Sequence, residues 1–120
     1  MAFSDHLSQI VKSVDGAVAA SVMGFDGIAI ETHQTPGADG LELSVAWVEY
    51  ANLLNQLKGT AETLKTGKVS EVVVSSEKLL TLVRLVNKDY FLVLGLLPTG
   101  NYGKGRYVLR VTAPKVAAEL

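Results

Sequence analysis

The sequence predicts an α/β domain in which helices cover both faces of an antiparallel sheet. Apolar residues recur at alternating spacings of four and three from Leu43 to Leu64, as in a long amphipathic helix. Three segments rich in β-branched residues follow, at residues 69–75, 79–86 and 90–97, and their short connections favour antiparallel pairing. The last of these segments contains YFLVLGLL, which is apolar on both faces and therefore belongs at the centre of the sheet.

The composition is that of one globular domain over residues 1–120. With 48% apolar and only 19% charged residues, the chain can bury a core and still has apolar surface for an interface. Eleven basic and twelve acidic residues, with no run of either sign, argue against a nucleic-acid surface. The absence of cysteine excludes thiol catalysis and thiolate metal sites. With no signal-peptide pattern and no apolar run long enough for a bilayer, we expect a cytoplasmic protein without membrane insertion.

The N-terminal part predicts a helix followed by a β-hairpin. Apolar residues at helical spacing indicate a short amphipathic helix over residues 4–14. Residues 17–23 and 28–33 have the composition of two strands, and the sequence GFDG lies between them. Because Asp26 and Gly27 can take left-handed backbone angles, this segment predicts a tight turn.

The long helix is expected over residues 41–65. A loop rich in proline and glycine precedes it at residues 35–40, and Gly67 follows it as a residue that enters the left-handed region freely. We interpret its apolar seam first of all as core. The seam consists of Leu43, Trp47, Tyr50, Leu54, Leu57, Ala61 and Leu64.

The last segment permits two interpretations. Residues 106–112 alternate between polar and apolar side chains, which favours a strand, and the neighbouring Gly105 and Pro114 argue against a long helix. The pattern alone therefore favours a strand and leaves a helix open.

The segment TGNYGKGR, residues 99–106, has the composition of a phosphate-binding loop but not its spacing. A Walker loop would require glycine at position 98 and a hydroxyl at position 105, where this chain has Pro98 and Gly105. The glycine spacing also fails the dinucleotide pattern. We therefore expect a turn here and no cofactor.

The order of these elements resembles the Roadblock/dynein light-chain family over nearly the whole chain. The likeness is carried by the GAVAASVMGFDGIAIE hairpin, the long helix, the strands ending in YFLVLGLLP, and the junction GNYGKGRYVLR. It implies a five-stranded antiparallel sheet with the long helix on one face and the N- and C-terminal helices on the other. It also implies that the junction opens a C-terminal helix, with Lys104 and Arg106 solvated in its first turn.

Within this family the chain is most similar to the bacterial Mgl-type group, which works with the Ras-like GTPase MglA in cell polarity and gliding motility. The resemblance implies a homodimer whose long helices pair across a two-fold axis. It further implies a non-catalytic adaptor or regulator of a small Ras-like GTPase, acting directly or through another roadblock protein. The alternative is a small ligand-binding or sensor module on a similar sheet, which would need a concave apolar pocket with convergent polar groups.

The sequence offers no catalytic or metal-binding set. His6 and His33 have no second ligand at metal-binding spacing, and we interpret both as ordinary surface or hairpin residues. Glu31 and Glu49 are interpreted as solvated carboxylates. Arg84, Arg106 and Arg110 are the only arginines, and none is nominated as an arginine finger.

The best candidate site is the surface of the long helix. Its face away from the seam is mostly polar and uncharged and contains a glycine that permits close approach, whereas a face that meets only water usually carries more charge. Plain solvation is the alternative. The predicted protein interface consists of Ala46, Glu49, Asn52, Leu53, Gln56, Gly59 and Thr63.

Overall fold

The computed structural model describes residues 3–36 and 43–120. Residues 37–40 of the predicted loop and residues 41–42 of the predicted long helix lie outside the described residues. The described parts of the chain form three helices and five strands. In chain order they are α1 (Phe3–Ser13), β1 (Ala17–Gly24), β2 (Ala29–Gln34), α2 (Leu43–Leu64), β3 (Glu71–Ser75), β4 (Leu80–Leu85), β5 (Tyr90–Leu96) and α3 (Tyr102–Ala117).

The five strands form one sheet in the order β2-β1-β5-β4-β3, and every neighbouring pair is antiparallel. The prediction that YFLVLGLL lies centrally is confirmed, because β5 is the middle strand and residues 91–96 are buried. The predicted turn between the first two strands is also present. Gly27 has a φ of 88°, and the Asp26 side chain accepts a hydrogen bond from the Ile28 amide.

Helices cover both faces of the sheet, as the resemblance implied. On the α1/α3 face, Leu7 and Ile10 from α1 and Leu109 and Val116 from α3 pack against Leu92 and the neighbouring apolar residues of the sheet. On the α2 face, Trp47 and Leu54 pack against Phe91 and Val93. None of the described helices is long and apolar enough to cross a membrane.

The strand that the pattern favours at residues 106–112 is wrong, because this segment lies inside α3. The alternation is misleading, since Tyr107 and Val111 are exposed while the buried residues recur at helical spacing as Gly105, Leu109, Thr112, Ala113 and Val116. The side chain of Asn101 caps the helix by accepting a hydrogen bond from the Lys104 amide at 3.1 Å. TGNYGKGR is therefore the turn into the last helix, as the resemblance implied.

Candidate functional site on the long helix

The N-terminal half of α2 is seated firmly on the sheet. Leu43, Trp47, Ala51 and Leu54 are buried in the core of the α2 face. The Trp47 ring fits against Gly95 of the central strand, where an added Cβ would lie 3.3 Å from the indole Cζ2 atom. This half of the predicted seam is core, as expected.

The C-terminal half of α2 differs, and the expectation that its seam is core is wrong for Leu57 and Leu64. Leu57 is 43% exposed and Leu64 is 66% exposed, whereas Leu54 is only 3% exposed. The physical reason is that this half of the helix lies beyond the sheet. None of residues 55–64 is buried, and Asn55 and Lys58 already contact the turns at the ends of the strands. A helix of 22 residues extends about 33 Å, which is longer than the eight-residue strand β1 at about 27 Å.

Two polar contacts mark the point at which α2 leaves the sheet. The Asn55 side-chain amide donates to the Phe25 carbonyl at 2.9 Å, and the Lys58 ammonium donates to the Lys88 carbonyl at 3.0 Å. The same ammonium lies 3.7 Å from the centroid of the Phe25 ring. These contacts fasten the middle of the helix to the β1–β2 and β4–β5 turns.

Beyond this point α2 overhangs an open groove of about 910 Å³. Its walls are apolar at Val69, Leu85 and Val86, and they carry Glu62 together with four lysines, Lys58, Lys65, Lys68 and Lys88. Most of these ammonium groups sit on long exposed side chains. The groove therefore lacks the fixed, converging polar groups that characterise a small-molecule site.

The structure places the predicted interface residues on one surface of α2, with one exception. Ala46 is half-buried and packs against the core, so it belongs to the seated half of the helix. The other six are exposed, namely Glu49, Asn52, Leu53, Gln56, Gly59 and Thr63. Their spacing of three and four residues aligns most of them along one side of the helix.

Gly59 is unexplained by the packing of its own chain. A Cβ added there would meet no atom within 4 Å, although glycine in a helix interior costs about 1 kcal/mol relative to alanine. The hydroxyl of Thr63 is satisfied inside the helix, where it donates to the Gly59 carbonyl at 3.0 Å. The Thr63 hydroxyl therefore needs no hydrogen-bond partner outside its own helix.

Sequence reasoning misses the exposed leucine stripe, which consists of Leu53, Leu57 and Leu64. It places Leu53 in the interface but Leu57 and Leu64 in the core. The signal that could have shown that the end of the helix is exposed is its number of residues, which exceeds the number in any of the strands. Periodicity alone identifies an apolar side of a helix but not the element that covers it.

His6 takes part in a contact that the sequence does not predict. His6 is expected at the surface but is buried, and its Nε2 lies 2.9 Å from Oε2 of Glu119. Within residues 3–36 and 43–120, no three histidine or acidic side chains are close enough to hold a metal ion.

Arg106 is exposed in the first turn of α3, as the resemblance implied, but it also forms an ion pair that the sequence does not predict. Its Nε and Nη2 donate to the two carboxylate oxygens of Glu71 at 2.5 and 2.8 Å, which joins α3 to the edge strand β3. These hydrogen bonds lower the pKa of Glu71 below its usual value. A sequence separation of 35 residues leaves no local pattern from which this pair could have been read.

A long helix on one face of a five-stranded antiparallel sheet, with two terminal helices on the other, defines the class of this protein. The chain belongs to the Roadblock/LC7 domain family, which it matches over residues 4–95. No curated protein matches it.

The chain is homologous to MglC from Myxococcus xanthus. It is 65% identical to the crystal structure of that protein over 100% of both chains, with a TM-score of 0.72. The gliding protein MglB from Thermus thermophilus is 18% identical, with 96% of this chain and 85% of that chain covered and a TM-score of 0.85. A structure of MglB with a tetrameric arrangement is 19% identical over the same shares, also with a TM-score of 0.85. The two MglB structures show the shared fold.

Proposed function

We propose that this protein is a homodimeric, non-catalytic adaptor or regulator of a small Ras-like GTPase in bacterial cell polarity or gliding motility. It would act directly on the GTPase or through another roadblock protein. The observation that carries the proposal is the exposed C-terminal half of α2, which offers apolar and polar surface that its own sheet does not cover. Full-length homology to MglC supports the same assignment.

The leucine stripe supports self-association. Leu53, Leu57 and Leu64 lie along one side of a helix that projects past its sheet, so a second copy of α2 could cover them. Covering large apolar side chains is favourable at roughly 25 cal/mol for each Å² removed from water. The tetrameric arrangement of the related MglB is consistent with such self-association.

The polar surface supports a second contact. With the leucine stripe covered in a dimer, Glu49, Asn52, Gln56 and Gly59 would remain accessible beside it. Gly59 would let the backbone of a partner approach closely, which gives a reason for a glycine that the chain itself does not require. We assign this surface to the GTPase or to the second roadblock protein.

This surface would regulate the partner by binding its two nucleotide states with different affinities. An adaptor changes the equilibrium between two states of its partner only if it binds one state more tightly than the other. The helix α2 contains no arginine, and the three arginines of the chain lie in β4 and α3. Transition-state stabilisation by an arginine finger is therefore not part of the proposal.

The test is a binding measurement with an MglA-type GTPase in its GDP state and bound to a non-hydrolysable GTP analogue, with and without a second roadblock protein. We expect affinities that differ at least several-fold between the two nucleotide states. Equal affinity for both states, or no binding in either arrangement, would contradict a regulatory role. A thermal shift that appears only with a small molecule would instead favour the ligand-binding module.

A further inference from the structure

The helix α3 carries a concentration of positive charge on a protein that is slightly acidic. It contains Lys104, Arg106, Arg110 and Lys115 and no acidic residue. The other seven basic residues and all twelve acidic residues lie elsewhere in the chain. This segregation gives the surface of α3 a local positive charge that the net charge of −1 conceals.

Exposed aromatic rings lie among these charges. Tyr102 is 40% exposed and Tyr107 is 56% exposed. The guanidinium carbon of Arg106 lies 5.6 Å from the centroid of the Tyr102 ring, and that of Arg110 lies 5.5 Å from the centroid of Tyr107. Tyrosine and arginine are the residue types, with tryptophan, that most often dominate the binding energy of protein interfaces.

One carboxylate, that of Glu71, lies among these charges. Glu71 is occupied by Arg106 through two hydrogen bonds. Arg84 lies directly opposite Glu71 in the β3–β4 register. Among the described residues, Arg84, Lys104 and Arg110 form no ion pair, although after Arg106 the charges of Arg84 and Arg110 also help to lower the pKa of Glu71. Several cations thus share one carboxylate, which leaves an excess of positive charge.

We propose that the outer surface of α3 binds an acidic segment of a protein partner. This surface, called the α3 patch, consists of Lys104, Tyr107, Arg110 and Val111. The cations would pair with carboxylates of the partner, while Tyr107 and the exposed Val111 would cover its apolar side chains. The patch goes beyond the proposed function because it lies on the opposite side of the sheet from α2.

Size and charge favour a polypeptide over a nucleic acid. A helix of 16 residues is about 24 Å long, and the patch is confined to its outer side. A nucleic-acid surface normally continues as a basic stripe along the phosphate backbone, whereas the rest of this chain has an excess of acidic residues that would repel it. A short acidic segment with interspersed apolar residues matches both the charge of the patch and its Tyr107.

The placement would let the protein hold two molecules at once. The α2 surface and the α3 patch are separated by the sheet, so occupation of one does not block the other. An adaptor could thus bind the GTPase or the second roadblock protein through α2 and an acidic partner through α3.

The experiment measures binding of a fluorescent peptide of repeated Glu-Glu-Leu to the full chain. The patch variant combines Lys104→Glu with Arg110→Glu. The matched control combines Lys68→Glu with Lys78→Glu, which makes the same change in net charge at exposed residues outside the patch. We expect the patch variant to bind the peptide at least tenfold more weakly than the control does, with both variants melting like the parent protein.

Three results would overturn the proposal. The first is no peptide binding by the parent protein, and the second is an equal loss in both variants, which would mean that only net charge matters. The third is tighter, patch-dependent binding of a single-stranded oligonucleotide or of anionic lipid vesicles with the same charge as the peptide. Because GTPase binding is measured separately, failure here leaves the proposed function of α2 unaffected.

Discussion

The two faces of the sheet are covered to different extents. On the α1/α3 face two helices cover the sheet together, and buried residues from both, including Leu7, Ile10, Leu109 and Val116, complete a continuous core. On the α2 face a single helix is seated only by its first half, and its apolar side then continues into the open beyond Leu54. The first face is a complete core, whereas the second leaves apolar surface that a partner could cover.

The largest expected effect comes from comparing two leucines of the same helix. Leu54→Ala should lower the free energy of unfolding by about 2 to 5 kcal/mol, because it removes a side chain that is 3% exposed from the core. Leu57→Ala removes one that is 43% exposed, so its effect on the isolated protomer should be much smaller. Urea unfolding at low protein concentration measures both. Equal losses would mean that the C-terminal half of α2 is seated on the sheet after all.

This comparison also shows what the sequence can predict. The seven-residue pattern from Leu43 to Leu64 predicts the helix correctly and even its apolar side, because both depend only on local spacing. It cannot predict that Leu54 is buried and Leu57 exposed, because the exposure of each side chain depends on whether the sheet extends underneath it. The first seven elements and the central position of β5 were predictable for the same reason that the helix was, namely local pattern and short connections. The helix α3 was not, since the local pattern favours a strand there and only the family resemblance implied a helix.

Other features depend on contacts that no local pattern encodes. The alternation at residues 106–112 favours a strand because Tyr107 and Val111 look like core residues in a sequence, although both are exposed. The pairing of Arg106 with Glu71 joins two elements that are distant in the chain. The interface predicted on α2 stays a prediction, and the pattern that suggests it places two exposed leucines of the same helix in the core.

A second prediction tests whether the leucine stripe is a dimer interface. Combining Leu57→Asp with Leu64→Asp places two charges in the leucine stripe, where a second copy would have to desolvate them. We expect the dissociation constant of the dimer to rise at least a hundredfold, which corresponds to about 2.7 kcal/mol. Light scattering over a concentration series measures this change.

The control for this prediction is Leu97→Asp, which alters an exposed leucine after β5 that is not part of α2. It should leave the assembly state unchanged. A parent protein that stays monomeric at tens of micromolar, the ordinary range of weak interfaces, would remove the basis for the dimer.

A third prediction separates the polar surface of α2 from its apolar stripe. The combination of Glu49→Lys, Asn52→Arg and Gln56→Arg should weaken binding of the GTPase or roadblock partner at least tenfold, because it reverses one charge and adds two bulky, positively charged side chains. Each change is at an exposed site and should alter stability by only about 0.5 kcal/mol or less. Melting and binding are measured on the same preparation. Normal melting with full binding to both partners would show that this surface is merely solvated.

The smallest expected effect concerns the α1/α3 face, where Glu71 and Arg106 fasten α3 to β3. Because the hydrogen bonds from Arg106 lower the pKa of Glu71 in the folded state, the pair stabilises the protein above the ordinary pKa of glutamate, about 4.3. That contribution is lost as the pH falls through the lower folded-state pKa, where the carboxylate takes up a proton. Exposure of Arg106 to solvent keeps the effect modest.

Glu71→Gln should therefore destabilise the protein slightly at neutral pH, and the difference from the parent should shrink in acid. Urea unfolding at a series of pH values measures the difference. Glu77→Gln is the control, since this exposed residue in the β3–β4 turn makes no ion pair in the described parts of the chain. If the Glu71 variant differs from the parent equally at neutral and strongly acidic pH, the carboxylate charge contributes nothing. The complete core of this face would then hold α3 in place through apolar packing alone.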